Sequence, residues 1–242
     1  MAVTVNDVSA SIRGVTVLDH VSATFENGRI SGLVGPNGSG KTMLLRVIAG
    51  LVRPSGGTVS VDGATLWRDV SFPPDVGLLI ESPHFLDDRT GLENLLILAS
   101  IREVVGPEEV RDAISAFGLD PDDPRRFSKY SLGMKQRLGI AMALLGKPEF
   151  LFLDEPLNGL DPEGIRDFRE LMLRLNQEQG TTILISSHQL RELTQIATCY
   201  GFIDKGKMIE QITAQELEEK TSDGDLEGYF LSLIYKNKLI KS

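Results

Sequence analysis

The sequence predicts an α/β fold: a parallel β-sheet interrupted by an inserted block of helices and carrying a phosphate-binding loop. Three observations lead there. Compact apolar runs of the kind that buried parallel strands show recur along the chain, helical spacing replaces them between Phe85 and Lys147, and a glycine-rich segment separates one such strand from a helix.

Taken in order, strands are expected at Thr4–Val8, Val15–Leu18, Val21–Phe25 and Arg29–Val34, then a helix over Met43–Val52 and a strand at Thr58–Val61. The runs Val76–Ile80, Phe150–Leu153 and Thr181–Ile185 complete the buried strands. Within the insert, Leu92, Leu95, Leu96, Ile97 and Ala99 mark one helix, Val110, Ile114 and Phe117 a second, and Leu138–Leu145 a third. The turn-rich segment Asp120–Pro124, followed by Arg125 and Arg126, reads as a loop and hinge into that third helix. Near the end of the sequence, Leu226, Tyr229, Phe230, Leu233 and Ile234 recur at helical spacing and Lys236, Lys238 and Lys241 follow. A helix docked on its own domain with a solvated tail is expected there, with a partner or membrane-surface contact as the alternative. One domain is expected, with a core at about 1–84 and 148–212, a helical subdomain at about 85–147, and a final helix and tail at about 213–242.

Composition narrows the function. At 242 residues, 41% hydrophobic and 24% charged, the chain is long enough for a substantial core and is not low in complexity. No apolar run approaches the length of a membrane span, and the first residues carry neither a basic nor an apolar leader region, so a chain that is neither exported nor membrane-spanning by itself is expected. The single cysteine, Cys199, rules out an internal disulfide or a multi-cysteine metal site and reads as a small buried hydrophobe. A net charge of −9 argues against a nucleic-acid surface.

The chemistry is concentrated in three places. Gly35, Pro36, Asn37, Gly38, Ser39, Gly40, Lys41 and Thr42 form the pattern G-x-x-x-x-G-K-[ST] between an apolar strand and the apolar helix that Met43 continues. In that setting successive backbone N–H groups face one concavity, the helix start favours an anion, Lys41 reaches terminal phosphates and Thr42 can ligate Mg²⁺. At the end of the strand Phe150–Leu153, Asp154 can hold the Mg²⁺ shell and Glu155 can polarise an attacking water. Alone, an apolar run plus Asp-Glu is a weak signal, and the phosphate loop upstream is what gives it weight. His188 ends another candidate parallel strand, on the side where such sheets bind ligands, and is expected to contact a γ-phosphate. His20 and His84 have no such setting and read as structural.

With Tyr130-Ser131-Leu132-Gly133-Met134 added, the sequence resembles the ATP-binding-cassette ATPases, whose ordered elements are present over nearly the whole chain. The resemblance implies a P-loop NTPase (RecA-like) core with an N-terminal antiparallel β subdomain and an inserted α-helical signature subdomain. It implies ATP and Mg²⁺ as cofactors, with the loop through Met43 binding nucleotide. It also implies two cassettes sandwiching two ATP molecules, Ser131 and Gly133 facing the nucleotide of the second subunit, Asp161 in the loop crossing the interface, Glu155 as catalytic glutamate and His188 as switch histidine. Three departures stand out: Ile12 where an aromatic ring usually meets adenine, Leu132 and Met134 within the signature, and Glu81 where glutamine is usual and where a contact to the metal is implied beside Thr42 and Asp154. Glu81 and Ser82-Pro83-His84-Phe85, with the signature run through Arg137, resemble the ATP-binding subunits of bacitracin-resistance and lantibiotic-immunity transporters, although other ABC-2-type exporters share parts of that pattern.

The implied function is a cytoplasmic ATPase subunit, peripheral on the inner face of the membrane, that energises separate permease subunits for export of an amphiphilic peptide or drug. The segment Ser82–Leu98 is then the expected coupling surface, and the second cassette is an identical chain or a close paralogue. A soluble cassette acting on nucleic acid or ribosomes is the alternative, but it would need a second cassette or a long heptad insertion that this sequence lacks. A P-loop kinase or GTPase would not explain the signature and has no N-K-x-D motif here. An inactive cassette conflicts with intact Lys41, Asp154, Glu155 and His188.

Overall fold

The computed structural model describes residues 2–102, 105–221 and 225–239, with the side chains of Arg102 and of 236–239 excepted. Two sheets organise it. The first is a four-stranded antiparallel sheet of β1 (Ala2–Ile12), β2 (Val15–Glu26), β4 (Gly56–Val61) and β5 (Ala64–Thr65), in the order β2-β1-β4-β5. The two strands expected over Val15–Phe25 are one strand, because pairing with β1 continues through bulges around Leu18 and Val21, where His20 takes φ +52°.

The second sheet has the order β10-β9-β3-β8-β7-β6. β3 (Ile30–Val34), β6 (Val76–Leu79), β7 (Phe150–Asp154), β8 (Thr182–Ser187) and β9 (Cys199–Asp204) are parallel, and β10 (Lys207–Thr213) adds an antiparallel edge. Both faces of this sheet are covered. Phe150 and Phe152 of β7 join one apolar cluster with the first sheet and helix α1 (Lys41–Ile48), whereas Leu151 and Leu153 join another with the helices of the insert. Burial on both faces is why these strands read as continuous apolar runs rather than alternating ones.

Helix α1 starts two residues earlier than Met43 and stops at Ile48, ahead of Gly50, whose φ of +76° is left-handed. The insert contains α2 (Gly91–Arg102), α3 (Pro107–Ser115), a 3₁₀ turn (Phe127–Lys129) and α4 (Leu132–Ala143). The expected hinge at Asp120–Pro124 is cross-linked: Arg125 donates to Asp123 at 2.6 and 3.0 Å, and Arg111 pairs with Asp122. It leads into the 3₁₀ turn first and reaches α4 only after it. Helix α5 (Pro162–Gln179) precedes β8, and α6 (Leu190–Leu193) follows it.

The sequence expectations include no counterpart of β5, α5, α6, β9, β10 or helix α7 (Ala214–Lys220). The final helix was expected, and as α8 (Leu226–Leu239) it packs on its own domain through Phe230 and Tyr229 against Phe202, with the Tyr229 hydroxyl donating to Glu210 at 2.7 Å. The side chains of Lys236 and Lys238, and Lys241 altogether, lie outside the described residues. Cys199 is only half-buried and sits 3.1 Å from Ser31 Oγ rather than in an apolar core. His20 is exposed and bonds Asp7.

Candidate active site

The sheet order places β8 between β3 and β7, so the carboxyl ends of these strands converge. β3 runs into the glycine-rich loop, in which Gly38 and Gly40 have positive φ, and Gly40 caps α1. Gly35 has no room for a side chain, since a Cβ there would lie 2.3 Å from Ile203 O and 2.5 Å from Ser39 Oγ. Lys41 is buried and its Nζ donates to Gly35 O at 2.7 Å and Pro36 O at 3.2 Å.

From β7, Asp154 accepts from Thr42 Oγ1 at 2.7 Å on Oδ2 and from Ser186 Oγ at 2.5 Å on Oδ1. Glu155 follows with φ +48°, a conformation that costs a non-glycine residue about 1–2 kcal/mol. The result is a carboxylate set between two partners: Oε1 lies 3.2 Å from Lys41 Nζ, and Oε2 lies 2.8 Å from Nδ1 of His188. Gln189 Nε2 is 3.3 Å from the other ring nitrogen of His188. Glu81, just past β6, also has positive φ and pairs with Arg46 of α1 at 2.7 Å.

Lys41, Thr42, Glu81 and Glu155 border a cleft of ≈ 260 Å³ lined by residues 37–43 together with Val17, Arg46, Glu81 and Glu155, whereas Gly35, Pro36, Asp154 and His188 lie outside its lining. Ile12 is not among its lining; it is half-exposed in the β1–β2 hairpin, and Val17 of β2 lines the cleft instead. Ser131, Gly133 and Asp161 lie elsewhere, around a separate cavity of ≈ 650 Å³. Ser131 caps α4, accepting from Met134 N at 3.2 Å, and Asp161 caps α5, accepting from Gly164 N at 3.1 Å. Arg137 joins the two elements through Asp161 at 2.7 Å, and that hydrogen bond holds the Asp161 carboxyl below the usual carboxylate range. Apart from Ile12, the predicted residues fall into two groups on one chain, one around a phosphate cradle and one at the capped starts of α4 and α5.

Residues 18–158 match the ABC transporter family. The chain belongs to that family. Among its relatives, the bacitracin transport ATP-binding protein BcrA of Enterococcus faecalis is 41% identical over 229 residues, covering 91% of this chain and 74% of the relative. The lantibiotic transport ATP-binding protein SrtF of Streptococcus pyogenes is 37% identical over 209 residues, covering 84% of this chain and 89% of the relative. A solved ATP-binding subunit of an ABC transporter superposes with TM-score 0.85 at 25% identity, covering 97% of this chain and all of the other. A dimeric bacterial ABC transporter cassette superposes with TM-score 0.79 at 21% identity over 88% of this chain and 98% of the other, and shares the fold.

The cassette's acidic and hydroxyl groups suit a hard divalent cation. Thr42 Oγ1 and Asp154 Oδ2 are oxygens 2.7 Å apart that could both face such an ion, and elsewhere in the loop Ser39 Oγ is buried with no hydrogen-bond partner. Among the described residues no cluster of three or more His, Cys, Asp or Glu side chains is placed to hold a metal. One carboxylate and one hydroxyl are what a Mg²⁺ ion otherwise ligated by phosphate oxygens and water would need from the chain.

Several contacting residues had escaped sequence reasoning. Val17 and Arg46 line the cleft, Ser186 bridges the acids, and buried Gln136 donates to Pro156 O at 3.0 Å and Glu155 O at 3.4 Å. Ser186 had a faint signal as a polar residue ending an apolar strand. Arg46 had none, because its partner Glu81 belongs to another strand end.

Proposed function

We propose that this cassette is the ATP-binding and ATP-hydrolysing subunit of an exporter for antimicrobial peptides or related amphiphilic drugs, working as a pair of cassettes on separate membrane permease subunits. The supporting observation is the convergence of Lys41, Thr42, Asp154, Glu155 and His188 at neighbouring strand ends beside a phosphate cradle. The bacitracin and lantibiotic transport of its relatives supports the substrate class. No helix among the described residues is long and apolar enough to cross a membrane, so the spanning part belongs to other chains in this reading.

In the mechanism, the N–H groups from Gly38 to Thr42 bind the β- and γ-phosphates, and Lys41 exchanges its ion pair with Glu155 for a terminal phosphate oxygen. The Glu155 carboxylate then accepts a proton from the water that attacks the γ-phosphorus, as the bond from phosphorus to the β–γ bridging oxygen breaks. His188 holds Glu155 through Oε2, and in this reading it contacts the γ-phosphate once nucleotide is bound. Thr42 and Asp154 would hold Mg²⁺, which would supply positive charge to the phosphate oxygens, and Glu81, paired with Arg46 at the rim of the same cleft, would join them on closure. Ser131, Gly133 and Asp161 have no part in the same chain's cradle, and they act on the nucleotide of the second cassette: the α4 start offers a hydroxyl, close backbone approach and a positive dipole end.

The permease side is the surface around Ser82–Leu98. Exposed Leu86 and Ile97 lie within it, and a groove of ≈ 390 Å³ beside it is lined by Phe72, Pro73, Leu98 and Ile101. The test is resistance to a membrane-active peptide in cells expressing the cassette with its permease. Lys41→Ala should abolish both resistance and nucleotide binding. Resistance at the wild-type level in that variant would refute ATP-driven export, and an unchanged ATP affinity would remove Lys41 from the site.

A further inference from the structure

We propose that Ser186 is a positioning residue for hydrolysis, its single hydroxyl orienting both acids of the site. The inference rests on the ATPase reading and assigns a role to a residue outside the motifs that define the cassette. In the parallel register of β7 and β8, Ser186 lies directly beside Asp154, and it is completely buried. A hydroxyl has one proton to donate and lone pairs to accept with. Ser186 donates that proton to Asp154 Oδ1 at 2.5 Å, a short charge-assisted contact, and accepts from the backbone N–H of Glu155 at 2.9 Å.

Each bond sets a geometry that hydrolysis needs. A carboxylate rotates about its Cβ–Cγ bond, and a donor fixed on Oδ1 stops that rotation with Oδ2 facing Thr42 Oγ1 at 2.7 Å. The Glu155 backbone is held from both sides, its N–H by Ser186 Oγ and more distantly by Ser186 O at 3.2 Å, its carbonyl by Gln136. That clamp maintains the left-handed φ of +48°, from which the side chain reaches Lys41 and His188. The neighbouring serine does something else: Ser187 Oγ donates to Glu192 at 2.6 Å and accepts from Gln189 N, securing the turn that carries His188. A buried hydroxyl among apolar strand residues is costly unless its hydrogen bonds are made, and here both are made to the acids of the site.

The test compares full-length wild type, Ser186→Ala and Ser186→Thr for phosphate release and for the Mg²⁺ concentration that gives half-maximal tightening of a fluorescent ATP analogue. Loss of a hydrogen bond to a charged group is expected to lower kcat about tenfold or more in Ser186→Ala, with KM for ATP changed by less than about threefold. The Mg²⁺ midpoint for analogue binding should rise at least about threefold, because Asp154 is no longer held toward Thr42. Ser186→Thr keeps the hydroxyl and should stay near wild type in both measurements. An unshifted Mg²⁺ midpoint in Ser186→Ala, with or without a loss of rate, would overturn the proposal, since a serine that only fills the strand would not act through Asp154. If the alanine variant does not fold, Ser186→Cys, similar in size but a weak donor, is measured the same way, and an unshifted midpoint again overturns the role. Wild-type protein that neither binds nor hydrolyses ATP would instead remove the ATPase reading, and this proposal with it.

Discussion

Replacing Glu155 with glutamine should separate nucleotide binding from hydrolysis, because in the proposed mechanism this carboxylate opposes the first and drives the second. The substitution preserves shape while removing the base, and loss of such a base costs about 10²–10⁴ in rate, or about 2.7–5.5 kcal/mol of transition-state stabilisation. For binding the sign reverses. Lys41 Nζ lies 3.2 Å from Glu155 Oε1 with both side chains largely buried, and at an effective dielectric constant of about 20 their attraction is about 5 kcal/mol before desolvation is counted. Phosphate must compete with that ion pair for the lysine, so the neutral glutamine should leave ATP affinity unchanged or tighter. Phosphate release, titration of a fluorescent ATP analogue and gel filtration with ATP read the three consequences: lost turnover, retained binding and an accumulated ATP-bound dimer. Turnover within threefold of wild type would refute the base assignment. ATP binding weakened more than about tenfold, or 1.4 kcal/mol, would refute the competition between phosphate and Glu155 for Lys41.

Base selectivity should be loose, because Val17 and Ile12 present no aromatic face to a purine; GTP should compete with ATP, and a preference for ATP above about a hundredfold, 2.7 kcal/mol, in a competition titration would contradict this. Glu81→Gln removes the charge that pairs with Arg46 at 2.7 Å, so ATP should still bind while resistance in cells falls more than basal hydrolysis and the Mg²⁺ dependence of hydrolysis changes. Unchanged resistance and an unchanged Mg²⁺ curve would show that Glu81 does not couple the cleft to the permease. Gly133→Ala puts a Cβ 2.9 Å from the backbone oxygen of Gly159, so α4 and the loop before Asp161 must separate. ATP binding to the single cassette should survive while the ATP-dependent dimer and its turnover are lost, and a normal dimer on gel filtration would place Gly133 away from the interface.

The phosphate loop, the Asp154-Glu155 pair and the signature helix were legible in the sequence because each acts through contiguous residues. A cradle made of successive backbone N–H groups is written as closely spaced glycines followed by a lysine, and a doubly buried strand is written as an apolar run. The helical insert was legible for the same local reason, although its third helix begins at Leu132, six residues ahead of the apolar run that marks it. Tertiary structure decided what those pieces meet. Ser186 reaches Asp154 only because β7 and β8 pair in parallel with those two residues opposite one another, and Arg46 reaches Glu81 only because α1 packs near the end of β6. Gln136 holds the Glu155 carbonyl from a helix in the insert, and Val17 replaces Ile12 at the cleft because the bulged pairing of β1 and β2 sets which hairpin residue faces the loop. The merged β2 and the antiparallel edge strand β10 are likewise set by pairing, with β1 and β9 across short turns. Sequence specifies the groups that bind phosphate by local geometry, whereas the groups that orient them are selected by strand order and register, which arise only when distant segments pack.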